Sequence, residues 1–412
     1  MPEKFNPDKV VLATYKSDKP PAPKPLSPPK LTTLERVGRP LRHVQYIPTK
    51  QLVFFSKFKD PTFTYDIKYK LPIKSNNVVI KIKAVGLNPV DLKIKNSYTS
   101  NFNYERGIGR EYSGVVVEAG KKYKDQFKEG DEVCGIYFHP NSLGTISSDI
   151  QIDPSVDPII SKPKELSWEK SGSWLYTFGT AFQLLKNAEK QLSKDSVVLI
   201  NGGSSSVGLM CIQILKHYYK VEDIAVICSG SAIKLVKETG AKLAINYKVN
   251  NNLPKVLQVL STTGVYKDYD ESGNIFESRA IPAKKFDLIV DTVGGYDILE
   301  KTSDYLAKGG YYITTVGDYK SDYTKDLYNA WNNPAMNARS LFGSVWSMTY
   351  VPFYFNPKPN DEWLQIGVDM LESGELDVKI DSIYDWQDYK KAENRLKLGH
   401  AHGKVILNNF NF

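Results

Sequence analysis

Val198-Leu-Ile-Asn-Gly-Gly-Ser-Ser-Ser-Val-Gly208 is the stretch whose residue types and spacing most directly imply chemistry. An apolar run ends, small side chains turn the chain, and apolar residues at helical spacing follow from Val207 to Tyr219. A helix N-terminus presents free N–H groups and the positive end of its dipole, so a diphosphate can rest against it. The interval from Gly203 to Gly208 matches G-x-G-x-x-G, except that Ser205 stands at the middle glycine. Gly202, Gly203, Ser205, Ser206, Val207 and Gly208 are therefore the candidate cofactor-binding residues of a dinucleotide turn. Ser205 keeps a second reading open, a merely structural strand-to-helix turn, because a Cβ there crowds the space a diphosphate would use.

NAD is held by a carboxylate about 20 residues beyond such a turn, on the ribose 2′-hydroxyl. Here the second strand ends in Cys228-Ser-Gly-Ser231, with no acid at its tip. The hydroxyls of Ser229 and Ser231 can donate to a 2′-phosphate, which favours NADP(H). Lys234 lies nearby, and its helix can carry it toward the phosphate or out into solvent.

These groups need a scaffold, and the patterning supplies one. Ser196-Val-Val-Leu-Ile200 is a short, wholly apolar run, as in a parallel strand buried on both faces. Strand-like runs recur at 224–228, 243–246, 287–291 and 311–315, with helical spacing between them, including a helix expected over Tyr296 to Ala307. Alternating β and α elements predict an α/β fold with a Rossmann-type doubly wound parallel sheet. Before this region, alternating runs at 78–85, 113–118 and 132–137 predict a β-rich domain of short strands. The expected organisation is a tail to residue 42, the β-rich part over 43–172, the dinucleotide-binding part over 173–340 with a polar insertion at 262–285, and a return to the first domain over 341–412.

The chain has 412 residues, 41% hydrophobic and 24% charged, too long for one ordinary core and not polar enough for wholesale disorder. Cys134, Cys211 and Cys228 form no C-x-x-C pair, which points to a reducing, cytoplasmic setting and against a structural zinc cage. The start carries no apolar signal segment, and the charge-poor stretches are broken by Gly and Pro, so no membrane span is expected. Residues 1–42 hold nine Lys or Arg against four Asp or Glu and nine of the 23 prolines. That makes the tail extended and basic, a disordered leader, a ligand for an aromatic groove or a strip for an acidic membrane surface. Of the net charge of +8 it supplies +5, leaving a body too weakly basic to read nucleic acid.

Several ordered motifs together resemble the zinc-independent, quinone-oxidoreductase-like branch of the medium-chain dehydrogenase/reductase superfamily. They are Ala84-Val-Gly-Leu-Asn-Pro-Val-Asp91, Gly109-Arg-Glu-Tyr-Ser-Gly-Val-Val116, Lys128-Glu-Gly-Asp-Glu-Val133, the turn above, Asp291-Thr-Val-Gly-Gly295, Lys308-Gly-Gly310 and Gly403-Lys-Val405. The resemblance implies a GroES-like β-rich domain, a Rossmann domain and a ligand cleft between them. Where the zinc branch has a cysteine and a histidine ligand, this chain has Asn88 and Arg110, so no zinc is expected, and His139, His400 and His402 do not restore a site. The resemblance also places Asn88 and Asp91 at the cleft, Tyr98 where enoyl-thioester reductases carry a proton donor, and Thr180, Tyr247 and Val293 beside the cofactor. Homodimers are frequent in that superfamily.

Gly109-Arg-Glu-Tyr-Ser-Gly114, the serine run at 204–206, the proline-rich leader and Ser340-Leu-Phe-Gly-Ser-Val-Trp346 are similar in addition to the fungal Ast proteins. That similarity implies a targeting or stabilising factor for the plasma-membrane proton ATPase, peripheral at the plasma membrane or its rafts, with NADP(H) binding retained. The second reading is an NADPH-dependent oxidoreductase for quinones or α,β-unsaturated carbonyls. The aromatic run from Phe342 to Phe355 fits either, as a cleft lining or as an exposed patch for a partner or lipid.

Overall fold

The computed structural model of the chain describes residues 31–36, 41–99, 104–269, 275–329, 334–342, 348–408 and 410. Six short strands make one parallel sheet, in the spatial order 243–246, 223–228, 197–201, 286–291, 306–314 and 349–352. Val197, Val198, Leu199 and Ile200 are wholly buried at its centre, each such side chain stabilising the fold by about 1.5–3 kcal/mol. The strand order reverses on either side of Val197–Asn201, and a doubly wound sheet opens its ligand crevice at the carboxyl ends of the strands at that point. The turn singled out from sequence sits there.

The second lobe is a seven-stranded sheet in the order 380–385, 404–408, 78–87, 111–119, 132–136 and 159–161, with 149–152 also pairing with 78–87. Its antiparallel register sets Val405 opposite Leu87, which brings Lys404 alongside Asn88. Helix Pro89–Asn96 follows the 78–87 strand directly and packs against helix Tyr389–Lys397. Inside that contact Lys95 Nζ donates to Glu393 Oε1 at 2.8 Å, with Glu393 fully buried and Lys397 Nζ 3.1 Å from the same oxygen. Burial alone would raise the Glu393 carboxyl, but the hydrogen bond and charges from Lys95 and Lys397 hold it down to about 2.

Several expected boundaries move. Leu31–Arg36 and the start of Leu41–Phe54, read as tail, are an antiparallel pair, while 1–30 and 37–40 lie outside the described residues. The parallel sheet runs on to Thr349–Pro352, so the return to the β-rich lobe comes near 380 and not at 341. The helix expected over Tyr296 to Ala307 shrinks to Thr302–Tyr305; residues 297–301 are turns, pinned where Tyr305 Oη donates to Ile298 O. The insertion contributes a two-stranded ribbon, Val265–Tyr269 with Ile275–Ala280, outside the main sheets. Helix Ser206–Gln213 continues as a π-helical turn to Tyr218. Among the described residues no helix is long and apolar enough to cross a membrane.

Replacing Glu393 by Gln leaves the Lys95 ammonium buried without its counter-charge. Urea unfolding at neutral pH is expected to register a loss of about 3 kcal/mol. A carboxylate with a depressed folded pKa stabilises only while it is ionised. The wild-type contribution therefore fades as pH falls from about 4.5 toward about 2, a fade absent in Glu393→Gln.

Candidate functional site

Gly202 closes the turn with φ +81°, a conformation open to glycine, and its N–H donates to Ile227 O at 3.0 Å. At Gly208 a Cβ would meet Gly202 O at 2.5 Å, so the helix can start this close to the strand only without a side chain. Ser205 is the N-cap of the following helix: its Oγ accepts from Gly208 N–H at 3.0 Å and lies 3.2 Å from Thr292 Oγ1. The first bond within the helix runs from Leu209 N–H to Ser205 O at 2.9 Å, which leaves the Ser206 and Val207 amides with no carbonyl one turn back. The hydroxymethyl group at 205 thus takes one of the amides a diphosphate would use and spares two.

Beside this helix start opens a cleft of about 550 Å³, lined by Ser205, Ser206 and Val207 at one end. The other end is aromatic. Tyr176 and Phe355 meet edge to face at 4.9 Å between centroids, and Phe138 meets Tyr328 the same way at 5.8 Å. Phe353, Tyr354 and Phe355 of the aromatic run line this wall. Tyr350 is buried and donates to Asp318 Oδ1 at 2.9 Å, and Trp346 lies outside the described residues. Pro89, Val90 and Lys93 of helix Pro89–Asn96 complete the cleft. Lys93 went unnoticed in the sequence, where nothing distinguishes it from other surface lysines.

Asn88 lines the floor, 2% exposed, and its amide is fully engaged. Nδ2 donates to Glu111 Oε1 at 2.8 Å, and Oδ1 accepts from Lys404 Nζ at 2.7 Å. Lys404 also donates to Glu111 Oε1 at 2.6 Å, both side chains being 1% exposed, and Glu111 Oε2 accepts from Tyr176 N–H at 3.1 Å. Arg110 is buried, donating to Gly109 O at 2.7 Å and Gly107 O at 3.2 Å. Among the described residues no group of three or more His, Cys, Asp or Glu is placed to hold a metal.

The other expected site residues divide. Thr180 lines the cleft, its Oγ1 donating to Tyr176 O at 2.6 Å. Asp91 does not border the cleft as expected. It is buried behind it, Oδ2 accepting Asn88 N–H at 2.7 Å and Oδ1 unpartnered, and burial pushes the carboxyl up to about 6 against the nearby Arg110 charge. Tyr98 is likewise absent from the cleft wall. Its hydroxyl donates to Asn141 Oδ1 and the Arg106 guanidinium covers its ring at 3.8 Å, so the loop after helix Pro89–Asn96 carries it away. Ser229 Oγ stands 3.0 Å from Ser231 Oγ and 3.4 Å from His402 Nε2, a histidine set aside in the sequence. Lys234 points outward, 86% exposed, 3.8 Å from Glu238. Tyr247 is exposed next to the 223–228 strand tip, Tyr247 N–H donating to Cys228 O at 3.2 Å, and Val293 N–H is held by Asp291 Oδ1 at 3.0 Å.

Comparison with known proteins accords with this arrangement. Residues 74–148 match the alcohol dehydrogenase GroES-like domain family and 260–407 the zinc-binding dehydrogenase family. The chain is 44% identical to Protein AST2 of Saccharomyces cerevisiae, over 94% of each chain. It is 40% identical to Protein AST1 of the same yeast, over 98% of this chain and 97% of that protein. The chain belongs to the Ast family. Among solved structures, the quinone oxidoreductase of Coxiella burnetii shares its fold at a TM-score of 0.67 and 22% identity, covering 88% of the Ast chain and 100% of that one. The Escherichia coli quinone oxidoreductase complexed with NADPH matches at 0.64 and 18% identity, covering 88% and 99%. This Ast protein is thus a member of the medium-chain dehydrogenase/reductase superfamily with its quinone-oxidoreductase-like fold.

The Ast cleft fits a dinucleotide. The glycine turn is intact at Gly202 and Gly208, the recess before the helix is open, and Ser205 folds onto its own helix. At the floor, Lys404 and Glu111 tie Asn88 of one lobe to the Tyr176 amide of the other. Lys404→Met leaves Glu111 buried and uncompensated. Urea titration is expected to show a loss of about 3 kcal/mol, most of it recovered in the Glu111→Gln/Lys404→Met double variant.

Proposed function

We propose that this Ast-family chain binds NADP(H) in the inter-lobe cleft and reduces a flat, apolar conjugated carbonyl or quinone there. The observation that carries the reading is the open recess at the start of helix Ser206–Gln213, which belongs to the same cleft of about 550 Å³ as the aromatic wall. The amides of Ser206 and Val207 receive the diphosphate, aided by the helix dipole. Ser229, Ser231 and His402 supply donors at the tip of the second strand, where no carboxylate opposes a 2′-phosphate. NADPH, when bound, supplies the hydride; the protein orients the acceptor against it and excludes water with Tyr176, Phe353 and Phe355.

Fluorescence titration with NADPH is expected to give saturable binding with an emission change, competed by 2′,5′-ADP; no binding at millimolar nucleotide removes the reading. Val207→Asp supplies the sharper comparison. A carboxylate in the first helical turn repels a diphosphate, so affinity should fall at least tenfold, whereas Val207→Asn, which loses the same packing against the core without adding charge, should keep most of the affinity.

The near full-length identity to AST1 and AST2 favours a second reading, in which the cleft serves a factor that targets or stabilises a plasma-membrane protein such as the proton ATPase. On this reading the basic, proline-rich leader meets the raft or membrane face while the folded body remains peripheral. Fractionation of cells expressing the full chain and a chain lacking residues 1–30, which leaves the Leu31–Arg36 strand in place, is the check. A membrane-associated pool that shrinks on truncation supports it, whereas wholly soluble protein in both cases excludes it.

A further inference from the structure

Lys93 is the one residue lining the cleft that carries a formal charge at neutral pH, among 29 described lining residues with no Asp, Glu or Arg. Its neighbours on the cleft face of helix Pro89–Asn96 are Pro89 and Val90, while Asp91, Leu92 and Lys95 turn into the core, the division a 3.6-residue period demands. Lys93 O accepts Tyr328 N–H at 3.1 Å, and Tyr328 N–H also meets Ser97 Oγ at 2.7 Å, so the residue is fixed between the helix and the aromatic wall. No carboxylate among the described residues lies within ion-pair distance of its ammonium. The acid that acts on it electrostatically, Asp326, is occupied by Asp322 N–H at 2.9 Å and Ser321 Oγ at 3.3 Å. Burial accordingly pushes Lys93 below the usual lysine range.

A lone cation in an apolar slot is costly unless a ligand supplies negative charge. We propose that Lys93 forms an oxyanion site for the aromatic end of the cleft, so that the ligand class is a flat conjugated carbonyl whose oxygen takes up negative charge. The rings of Phe355, Tyr176, Phe138 and Tyr328, joined in that order through the Phe138–Tyr176 contact at 5.9 Å, form one aromatic wall against which the planar body lies, and the ammonium meets its oxygen. In the reduction proposed above, on which only the chemistry rests, a hydride from reduced nicotinamide forms a C–H bond at the β-carbon. The C=C pair becomes the double bond to the carbonyl carbon as the C=O π pair withdraws onto oxygen. Lys93 donates a proton there to give the enol, which tautomerises to the saturated carbonyl, and the resulting amine regains a proton from water. The role assigned to Tyr98 by resemblance passes to Lys93, five residues earlier.

The site can be tested without cofactor or turnover, using 4-nitrophenol, whose phenolate imitates an enolate and absorbs in the visible. With the full chain at a pH below the dye's solution pKa, binding is expected to raise the phenolate band. Lys93→Met should weaken phenolate binding at least tenfold while uncharged 4-nitroanisole binds as before, and Lys93→Arg should retain most of the shift. An unchanged phenolate band in Lys93→Met, or no binding of the dye by the wild-type chain at millimolar concentration, overturns the proposal. If Lys93→Met loses nitroanisole as well, the cleft has collapsed and Lys93→Arg decides: a retained shift supports the site and a lost one removes it. NADPH titration of the same samples separates the two readings. A dye shift without nucleotide binding leaves the oxyanion site standing and removes the reductase, and nucleotide binding without a shift does the reverse.

Discussion

The ion pair between Lys404 and Glu111 is the contact on which the cleft depends. Both groups are nearly inaccessible, so each is stable as a charge only because the other is 2.6 Å away. The pair also spends its remaining hydrogen-bonding capacity on Asn88 and on the Tyr176 amide, binding four segments remote in sequence into one polar knot. Three of those segments belong to the β-rich lobe, and the fourth begins the helix that packs beside the parallel sheet. The charge interaction itself lies within the β-rich lobe, and it fixes the Glu111 carboxylate that reaches across to the Tyr176 amide of the other lobe. The floor of the cleft is made from the same atoms.

That knot includes Asn88, which by resemblance stands where the zinc branch of the superfamily has a metal ligand. Its cation is a lysine from the final strand, brought to Asn88 by the antiparallel register of Val405 with Leu87. Asp91 and Arg110, next in the two motifs, serve the backbone: one caps helix Pro89–Asn96 and the other braces the carbonyls of Gly107 and Gly109. Asp91, expected at the site, thus turns out to shape it from behind, while the cleft itself keeps hydroxyls, amides, aromatic rings and one ammonium.

Membership of the Ast family and retention of an open cleft bear on each other. A scaffold with no use for a ligand has no physical reason to leave about 550 Å³ unfilled between its lobes, since filling such space with side chains generally stabilises a fold. The helix start tells the same way. Ser205 caps its own helix, a stabilising use of the hydroxyl, yet leaves two amides without partners at the head of the cleft.

Much of this was legible in the linear chain. The apolar run at 196–200, the glycine- and serine-rich turn and the alternating strands determine a parallel sheet with a tight strand-to-helix turn at its centre, because burial on both faces and the need for small side chains at a tight turn are local demands. Ser205, Ser206 and Val207 were recognisable for the same reason, Asn88 and Thr180 only through the family resemblance, and all five line the cleft. The direction of Asp91 and Tyr98 was not, because the facing of residues on one short helix and the loop after it is decided by what packs behind them: here Glu393, Arg106 and Asn141. The boundary near 341 and the helix over 296–307 escaped prediction too, since a strand such as Thr-Tyr-Val-Pro352 is specified by the sheet edge it joins and not by its own pattern. Nor could the sequence single out Lys93 or pair Lys404 with Glu111. A lysine becomes a buried cation only when segments far apart in the chain withdraw water from it, and that withdrawal is a property of the tertiary structure alone.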